Sequence, residues 1–146
     1  MPTLNFADVP LSPLMRALGL VIDEYSSEHG DEGCTRVHGH IDAGPEHHTP
    51  QGIVHGALYT GAVETAASVG ATLAVQHDRQ FAVGVDNFTD FVRPVRQGRL
   101  AVEARAVHQG RTLQLWDVGI TDEAGRLVAK GRVRLANRPG PAEGTG

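Results

Sequence analysis

One long helical segment constrains the fold of this 146-residue chain more than any other feature. Residues 53–75 are apolar on almost every side of the predicted helix and include a single acidic residue, Glu64. A helix without a polar face is buried on most of its surface. Its many Gly and Ala residues leave little side-chain bulk, so other backbone can approach it closely. We therefore predict a central helix that the rest of the chain surrounds.

The sequence after this helix alternates between apolar and polar residues with a period of two. Four strand candidates, joined by short turns, cover residues 81–92, 100–107, 112–121 and 127–135. In the last of them Lys130, Arg132 and Arg134 alternate with small and apolar residues. One-sided strands joined by tight turns are typical of an antiparallel sheet with one buried face. The central helix is the most economical object for that face to cover, which gives an α+β fold.

The segments outside this region complete a single domain over residues 1–137. A short helix is predicted at residues 12–18, with Ser12 as its cap and Pro13 at its first position. Strands are predicted at residues 20–27 and 34–41, followed by a turn-rich loop at residues 42–51. Residues 138–146 are rich in Pro and Gly and are predicted to be a flexible tail.

Composition excludes several classes of function. The net charge of −4 argues against a general affinity for nucleic acid, and no apolar run approaches the ~20 residues that a membrane span needs. The first 20 residues lack the apolar core of a signal peptide. A lone cysteine, Cys34, cannot form an intramolecular disulfide and fits a reducing compartment. We therefore expect a cytoplasmic protein.

Glu64 is the first candidate for chemistry because it stands alone in the apolar helix. Burying a charge costs several kcal/mol unless something compensates, so such an acid usually has a task. It follows the pair His55-Gly56 by eight residues. The structural alternative is that Glu64 pairs with an arginine across an interface.

Several motifs together resemble one known family. They are Gly52-Ile53-Val54-His55-Gly56, the helix acid Glu64, Phe91-Val92-Arg93-Pro94-Val95 with Gly98, and His108-Gln109-Gly110-Arg111. With these motifs the chain resembles hotdog-fold acyl-CoA thioesterases of the phenylacetate-pathway (PaaI-like) type, in the Glu branch that includes 4-hydroxybenzoyl-CoA thioesterases. Two positions depart from the family pattern. Thr49 stands where Asn or Gln is usual, with Gln51 nearby, and Ala57 replaces a second Gly.

The resemblance implies hydrolysis of acyl-CoA or acyl-carrier thioesters, with coenzyme A as part of the substrate and no separate cofactor or metal. Glu64 would attack the carbonyl carbon or activate water, while the Gly56 amide would polarise the carbonyl oxygen and His55 would bind near it. The other expected contacts fall into two groups. Substrate contacts are expected from Thr49, Gln51, Ser68, Thr89 and Asp90, and contacts to the CoA moiety from Arg93, Arg111 and Thr112.

The spacing of Gly56 and Glu64 has a consequence for assembly. Eight residues of helix span about 12 Å, so the two groups of one chain cannot both meet one carbonyl. If both act, each site takes Gly56 from one subunit and Glu64 from another, which requires a homodimer. The resemblance implies a dimer of dimers, that is, a homotetramer.

Other interpretations of the sequence stay open. A hotdog enoyl-CoA hydratase and a non-catalytic acyl-CoA-binding module are the rival functions. Arg93 would either bind phosphate or brace the end of a strand. His38 and His40 share a strand face and resemble a metal pair, but without a third ligand they fit solvated or interface histidines better. The acyl group, aryl or fatty, is not determined by the sequence.

Overall fold

The computed structural model describes residues 11–28 and 33–141, which form two α-helices and six β-strands. In chain order they are α1 (Pro13–Leu18), β1 (Val21–Ser26), β2 (Arg36–Ala43), α2 (Gly56–Val75), β3 (Gln80–Phe91), β4 (Gly98–Gln109), β5 (Leu113–Thr121) and β6 (Leu127–Pro139). Within these residues no helix is both long and apolar enough to cross a membrane. Residues 1–10 and 29–32, and residues 142–146 of the predicted tail, lie outside the described residues.

The six strands form one sheet in the order β1-β2-β4-β5-β6-β3, and each neighbouring pair is antiparallel. The long helix α2 packs against strands β2 to β6, so the core lies between the helix and one face of the sheet. This arrangement confirms the predicted α+β hotdog architecture. The short helix α1 is also confirmed, since the Met15 N–H donates to the Ser12 side chain at 3.3 Å.

Small residues on α2 let the sheet approach the helix backbone. Ala62, Ala67 and Ala71 are fully buried, and a Cβ on Gly70 would lie 2.5 Å from the ring of Trp116. Trp116 itself is fully buried, so it packs in the core. Truncating a buried Trp typically costs about 3–5 kcal/mol, so Trp116 is a main contributor to the stability of the core.

The long helix begins three residues later than predicted, at Gly56. Val54 pairs with His48 in an isolated bridge, and its N–H donates to Val95 O at 2.8 Å. The Thr49 N–H donates to Ile53 O at 2.7 Å. These bonds to other parts of the chain hold residues 53–55 extended despite their apolar character. Gly56 is therefore at the helix N-terminus.

The predicted boundary of the tail is wrong by at least two residues. Strand β6 continues to Pro139, where Arg138 pairs with Phe81 and Pro139 with Gln80. The Gly140 N–H also donates to Arg79 O at 2.7 Å. The Pro- and Gly-rich composition of this segment is typical of a flexible tail. Strand β3 begins at Gln80, however, so its first residues pair with the end of β6.

A buried polar network near this end of the sheet was not predicted. The fully buried Gln114 donates to Ala71 O at 3.0 Å and to Asn137 Oδ1 at 2.8 Å. Trp116 Nε1 donates to Gln114 Oε1 at 2.9 Å. Because the partners satisfy one another, the amides are buried without the penalty of an unpaired polar group. The network fixes α2 and β6 to β5.

Strand β3 contains a β-bulge that decides which of its residues face α2. Gly84 pairs with the buried Leu135, whereas Asp86 pairs with the exposed Arg134, so Val85 is an extra residue between them. The bulge reverses the alternation of the strand. As a result Gly84 and Asn87, which are an odd number of residues apart, both face the helix.

β3 is also a sheet edge, and its exposed apolar residues are unusually many. They include Phe81, Val83, Val85, Phe88 and Phe91, and Phe88 is 72% exposed. A long edge strand with apolar side chains tends to pair with another chain unless it is covered. Among the described residues nothing pairs with this edge.

Candidate active site

The N-terminus of α2 is capped by His55, whose backbone is extended. Its Nδ1 accepts a hydrogen bond from the Ala57 N–H at 2.9 Å. Because Nδ1 is an acceptor, the neutral ring carries its proton on Nε2. The ring is exposed, so Nε2–H is available as a donor to a bound molecule.

Gly56 is the first residue of the helix, and its N–H has no partner among the described residues. The next two amides are occupied, since the Ala57 N–H bonds to His55 Nδ1 and the Leu58 N–H bonds to His55 O at 3.0 Å. Unpaired amides at this end of a helix attract negative charge. A Cβ on Gly56 would lie 2.5 Å from the ring of Phe91, so the close contact requires glycine.

Two aromatic rings form a wall beside this amide. Tyr59 packs against Phe91 with ring centroids 5.9 Å apart and is only 3% exposed. Its hydroxyl has no hydrogen-bond partner among the described residues. Burial raises the pKa of Tyr59 above its ordinary value, so the phenol remains protonated and is a donor.

Glu64 lies half-buried on the side of α2 that faces β3, two turns after Gly56. Its Oε2 accepts a hydrogen bond from Asn87 Nδ2 at 3.0 Å, and Ser68 Oγ lies 3.5 Å from Oε1. A Cβ on Gly84 would overlap Oε1, so the carboxylate rests against bare strand backbone. No arginine or lysine of the described chain forms an ion pair with Glu64. Glu64 therefore has no compensating cation within the described part of its own chain.

The other predicted substrate residues lie in three different places. Thr89 contacts the hydrogen-bond partner of Glu64, since its Oγ1 donates to Asn87 Oδ1 at 2.7 Å. Asp90 is exposed on the opposite face of β3, so the structure separates it from Thr89. Thr49 and Gln51 are in the loop before α2, where the Gln51 N–H donates to Thr49 Oγ1 at 3.3 Å.

The predicted CoA-binding residues do not form one cluster within a chain. Arg93 is exposed just beyond the end of β3, where its N–H donates to Val128 O at 3.1 Å. Arg111 and Thr112 are in the turn before β5, at the other end of the sheet. The length of β5, about 26 Å at ~3.3 Å per residue, lies between the two positions. One chain therefore cannot present both arginines to the same phosphate.

Among the arginines near the end of β3, Arg93 and Arg96 have no carboxylate partner in the described chain, and Arg96 Nη1 donates to Gly52 O at 3.3 Å. Arg99 donates to Asp42 at 2.8 Å and 3.0 Å, and this hydrogen bonding lowers the pKa of Asp42 below its ordinary value. The backbone N–H and side chain of Arg126 lower the pKa of Asp122 in the same way. Paired arginines have their charge compensated, so Arg93 is better suited to bind an anion from solution.

The histidines on β2 do not build a metal centre with other residues of the described chain. His40 Nδ1 lies 2.7 Å from Asp23 Oδ2, and His38 shares its strand face. No group of three His, Cys, Asp or Glu side chains in residues 11–28 and 33–141 comes close enough to hold an ion. The geometry therefore favours a surface role for the pair.

Comparison with known proteins gives consistent results. The Thioesterase superfamily model matches residues 51–129. The chain is 41% identical over 99 residues, 66% of its length, to a Mycobacterium tuberculosis protein named "Putative esterase Rv1847", covering 71% of that protein. It is 30% identical over 89 residues to the 1,4-dihydroxy-2-naphthoyl-CoA hydrolase of Listeria monocytogenes, covering 61% of this chain and 72% of that one.

Solved structures extend the similarity to almost the whole chain. The structure of Rv1847/MT1895 from Mycobacterium tuberculosis has a TM-score of 0.81 at 35% identity, and the match covers 90% of this chain and 100% of that one. The structure of AziG from S. sahachiroi has a TM-score of 0.79 at 38% identity, covering 89% and 99%. The structural similarity therefore extends beyond the 99 residues that are matched by sequence.

Proposed function

Because this chain belongs to the thioesterase superfamily and is a thioester hydrolase, we propose that it hydrolyses acyl-CoA thioesters with Glu64 as the catalytic carboxylate. The observation that carries the proposal is a half-buried carboxylate without a cation, eight residues after an unoccupied helix amide at Gly56. The Listeria relative is named as the hydrolase of an aryl-CoA, 1,4-dihydroxy-2-naphthoyl-CoA, which supports aryl-CoA esters as substrates here. This substrate class also fits the exposed ring of Phe91, which packs on the buried Tyr59 beside Gly56.

The chemistry assigns a separate task to each group. Glu64 takes a proton from a water molecule while the water oxygen adds to the carbonyl carbon. The Gly56 N–H stabilises the negative charge on the carbonyl oxygen, and the His55 Nε2–H adds a second donor. The C–S bond then breaks, and the thiolate of coenzyme A leaves and is protonated. Ser68 Oγ lies 3.5 Å from Glu64 Oε1, so a water bound to this carboxylate oxygen is also within reach of the hydroxyl.

The proposal requires two subunits in each site. Gly56 contacts Phe91, whereas Glu64 contacts Gly84 and Asn87, so the two groups lie at different levels of β3. A two-fold axis close to Phe88 would place the partner's Gly56 opposite Glu64. The same axis would bring the partner's Arg111 to the end of the sheet where Arg93 lies. One rotation thus assembles both the catalytic pair and the CoA-binding arginines.

The exposed edge of β3 supports this homodimer. Antiparallel pairing of β3 with the partner's β3 would satisfy the free edge and cover Phe88, 72% exposed in the single chain. Two such dimers would form the homotetramer that the family resemblance implies. Both states are measured by the same determination of mass in solution.

A thiol-release assay over a panel of acyl-CoA esters tests the proposed function. We expect release of coenzyme A from aryl-CoA esters, with fatty acyl-CoA esters in parallel to define the acyl preference. Addition of water to an enoyl-CoA without thiol release would instead identify a hydratase. Calorimetric binding of CoA esters without either reaction would identify a binding module.

Replacing Phe88 by Glu is expected to convert the protein into monomers. The side chain is exposed in the single chain, so its charge should leave the fold intact but oppose pairing of the β3 edges. Light scattering after size-exclusion chromatography measures the mass, and turnover should fall at least about 100-fold because no complete site remains. Val107→Glu, which places the same charge on an exposed apolar position of β4, is the matched control. A Phe88→Glu protein that stays dimeric and active would contradict the proposed pairing of the β3 edges.

Replacing Arg93 by Ala is expected to raise KM for CoA esters about tenfold, which corresponds to about 1.4 kcal/mol of lost binding. The value of kcat should change little because the guanidinium is remote from the carbonyl. The control is an N-acetylcysteamine thioester of the same acid, which lacks the nucleotide. If KM rises equally for both thioesters, Arg93 braces the strand end and does not bind phosphate.

A further inference from the structure

The bulge in β3 brings a side chain to Glu64 that no sequence motif indicated. We propose that Asn87 is a positioning residue for Glu64 and that Thr89 holds Asn87 in the required orientation. The inference rests on the proposed function of Glu64 and adds a residue to the site. Asn87 acts through the carboxylate and does not contact the substrate.

The amide of Asn87 has a single satisfactory orientation. Its Nδ2 donates to Glu64 Oε2 at 3.0 Å and to Thr60 O at 3.2 Å, while its Oδ1 accepts from Thr89 Oγ1 at 2.7 Å. A flipped amide would place its oxygen against two acceptors and its nitrogen against a hydroxyl. Three of the four hydrogen-bonding positions of the amide are therefore used, and each of the three bonds requires this orientation.

These bonds fix the carboxylate relative to the helix. Thr60 is one turn before Glu64 on α2, so Asn87 contacts both the helix backbone and the side chain that projects from the next turn. A hydrogen bond to an ionised acceptor is about twice as strong as a neutral one, and half-burial limits competition from water. With Oε2 held in this way, Oε1 is the oxygen directed towards Ser68 and the attacking water.

Two glycines provide the space for this row of polar groups. Gly84 leaves room for Glu64 Oε1, and Gly131, which pairs with Thr89 across β3 and β6, leaves room for the Thr89 hydroxyl. A Cβ on Gly131 would lie 2.8 Å from Thr89 Oγ1. An apolar residue at position 87 would suit a strand face that covers α2. The polar amide is therefore explained by the carboxylate that it orients.

Replacing Asn87 by Leu is expected to lower kcat about 10- to 100-fold, the range for one lost hydrogen bond to a charged group, with KM changed less than about threefold. The matched control is Asn137→Leu, which removes another amide from the same pair of strands. It should lower the melting temperature but leave kcat within about threefold of the wild type. Equal loss of kcat in both variants, or none in Asn87→Leu, would overturn the positioning role.

A second pair of variants tests the hydroxyl that holds the amide, without altering Asn87. Thr89→Val keeps the shape but removes the donor, and we expect kcat to fall about 5- to 10-fold. Thr89→Ser keeps the donor and should recover most of that loss. If Ser is as impaired as Val, the methyl group and not the hydroxyl explains the effect, and the inference fails.

Combining Asn87→Leu with Glu64→Gln separates this inference from the proposed function. If Asn87 acts only through the carboxylate, the double variant should be no slower than Glu64→Gln alone. An additional loss in the double variant would show an independent role and overturn the inference. Retained turnover in Glu64→Gln alone would instead overturn the proposed function, whatever Asn87 does.

Discussion

Replacing Glu64 by Gln is expected to lower kcat for acyl-CoA hydrolysis at least about 1,000-fold. The amide of Gln has the shape of the carboxylate, and its oxygen can still accept from Asn87 Nδ2. It cannot take a proton from water or attack a carbonyl. The change therefore removes the chemical step while the contacts around residue 64 remain.

Three measurements on the Glu64→Gln protein make this expectation specific. The affinity for an aryl-CoA ester, measured by calorimetry, should stay within about threefold of the wild type, and the melting temperature and the mass in solution should not change. Glu103→Gln is the matched control, because Glu103 is a half-buried acid on the other face of the sheet that pairs with Arg36 and Arg105. Turnover by Glu64→Gln near the wild-type rate would refute the assignment.

The architecture was predictable because it depends on local patterns. The apolar helix around Glu64 and the alternation in strands such as 127–135 are each visible in a short window of sequence. The two boundary errors, at Ile53 and at Arg138, arise where bonding to a distant segment decides the structure. Val95 O holds the chain extended before α2, and β3 extends β6 beyond residue 137. Val95 is about 40 residues from the chain that it holds, and β3 is separated from the end of β6 by two other strands.

The candidate site was predictable only in part, for a related reason. Glu64 could be identified because a lone acid in an apolar helix is conspicuous in the sequence. Asn87 could not, because a period of two places it on the opposite face from Gly84, and only the bulge at Val85 brings both to the helix. The separation of Arg93 from Arg111 likewise depends on strand order and not on any motif.

Mixing two impaired variants, Glu64→Gln and Gly56→Ala, is expected to restore activity if each site is shared between two subunits. Glu64→Gln lacks the carboxylate but keeps the Gly56 amide. In Gly56→Ala the new methyl group would meet Phe91, whose ring must then move beside the amide, and turnover should fall about 100-fold. In a dimer of one subunit of each kind, one site combines the intact Gly56 with the partner's intact Glu64.

The amount of recovery distinguishes a shared site from a site within one chain. Random pairing of equal amounts gives about half mixed dimers, each with one complete site of two, so about a quarter of wild-type turnover should return. Mixed dimers isolated through two different affinity tags should reach about half of the wild-type rate per dimer. Glu64→Gln co-expressed with the wild type, and each variant alone, are the controls. Recovery no greater than the sum of the two separate variants would contradict shared sites, because a site within one chain stays incomplete in every such dimer.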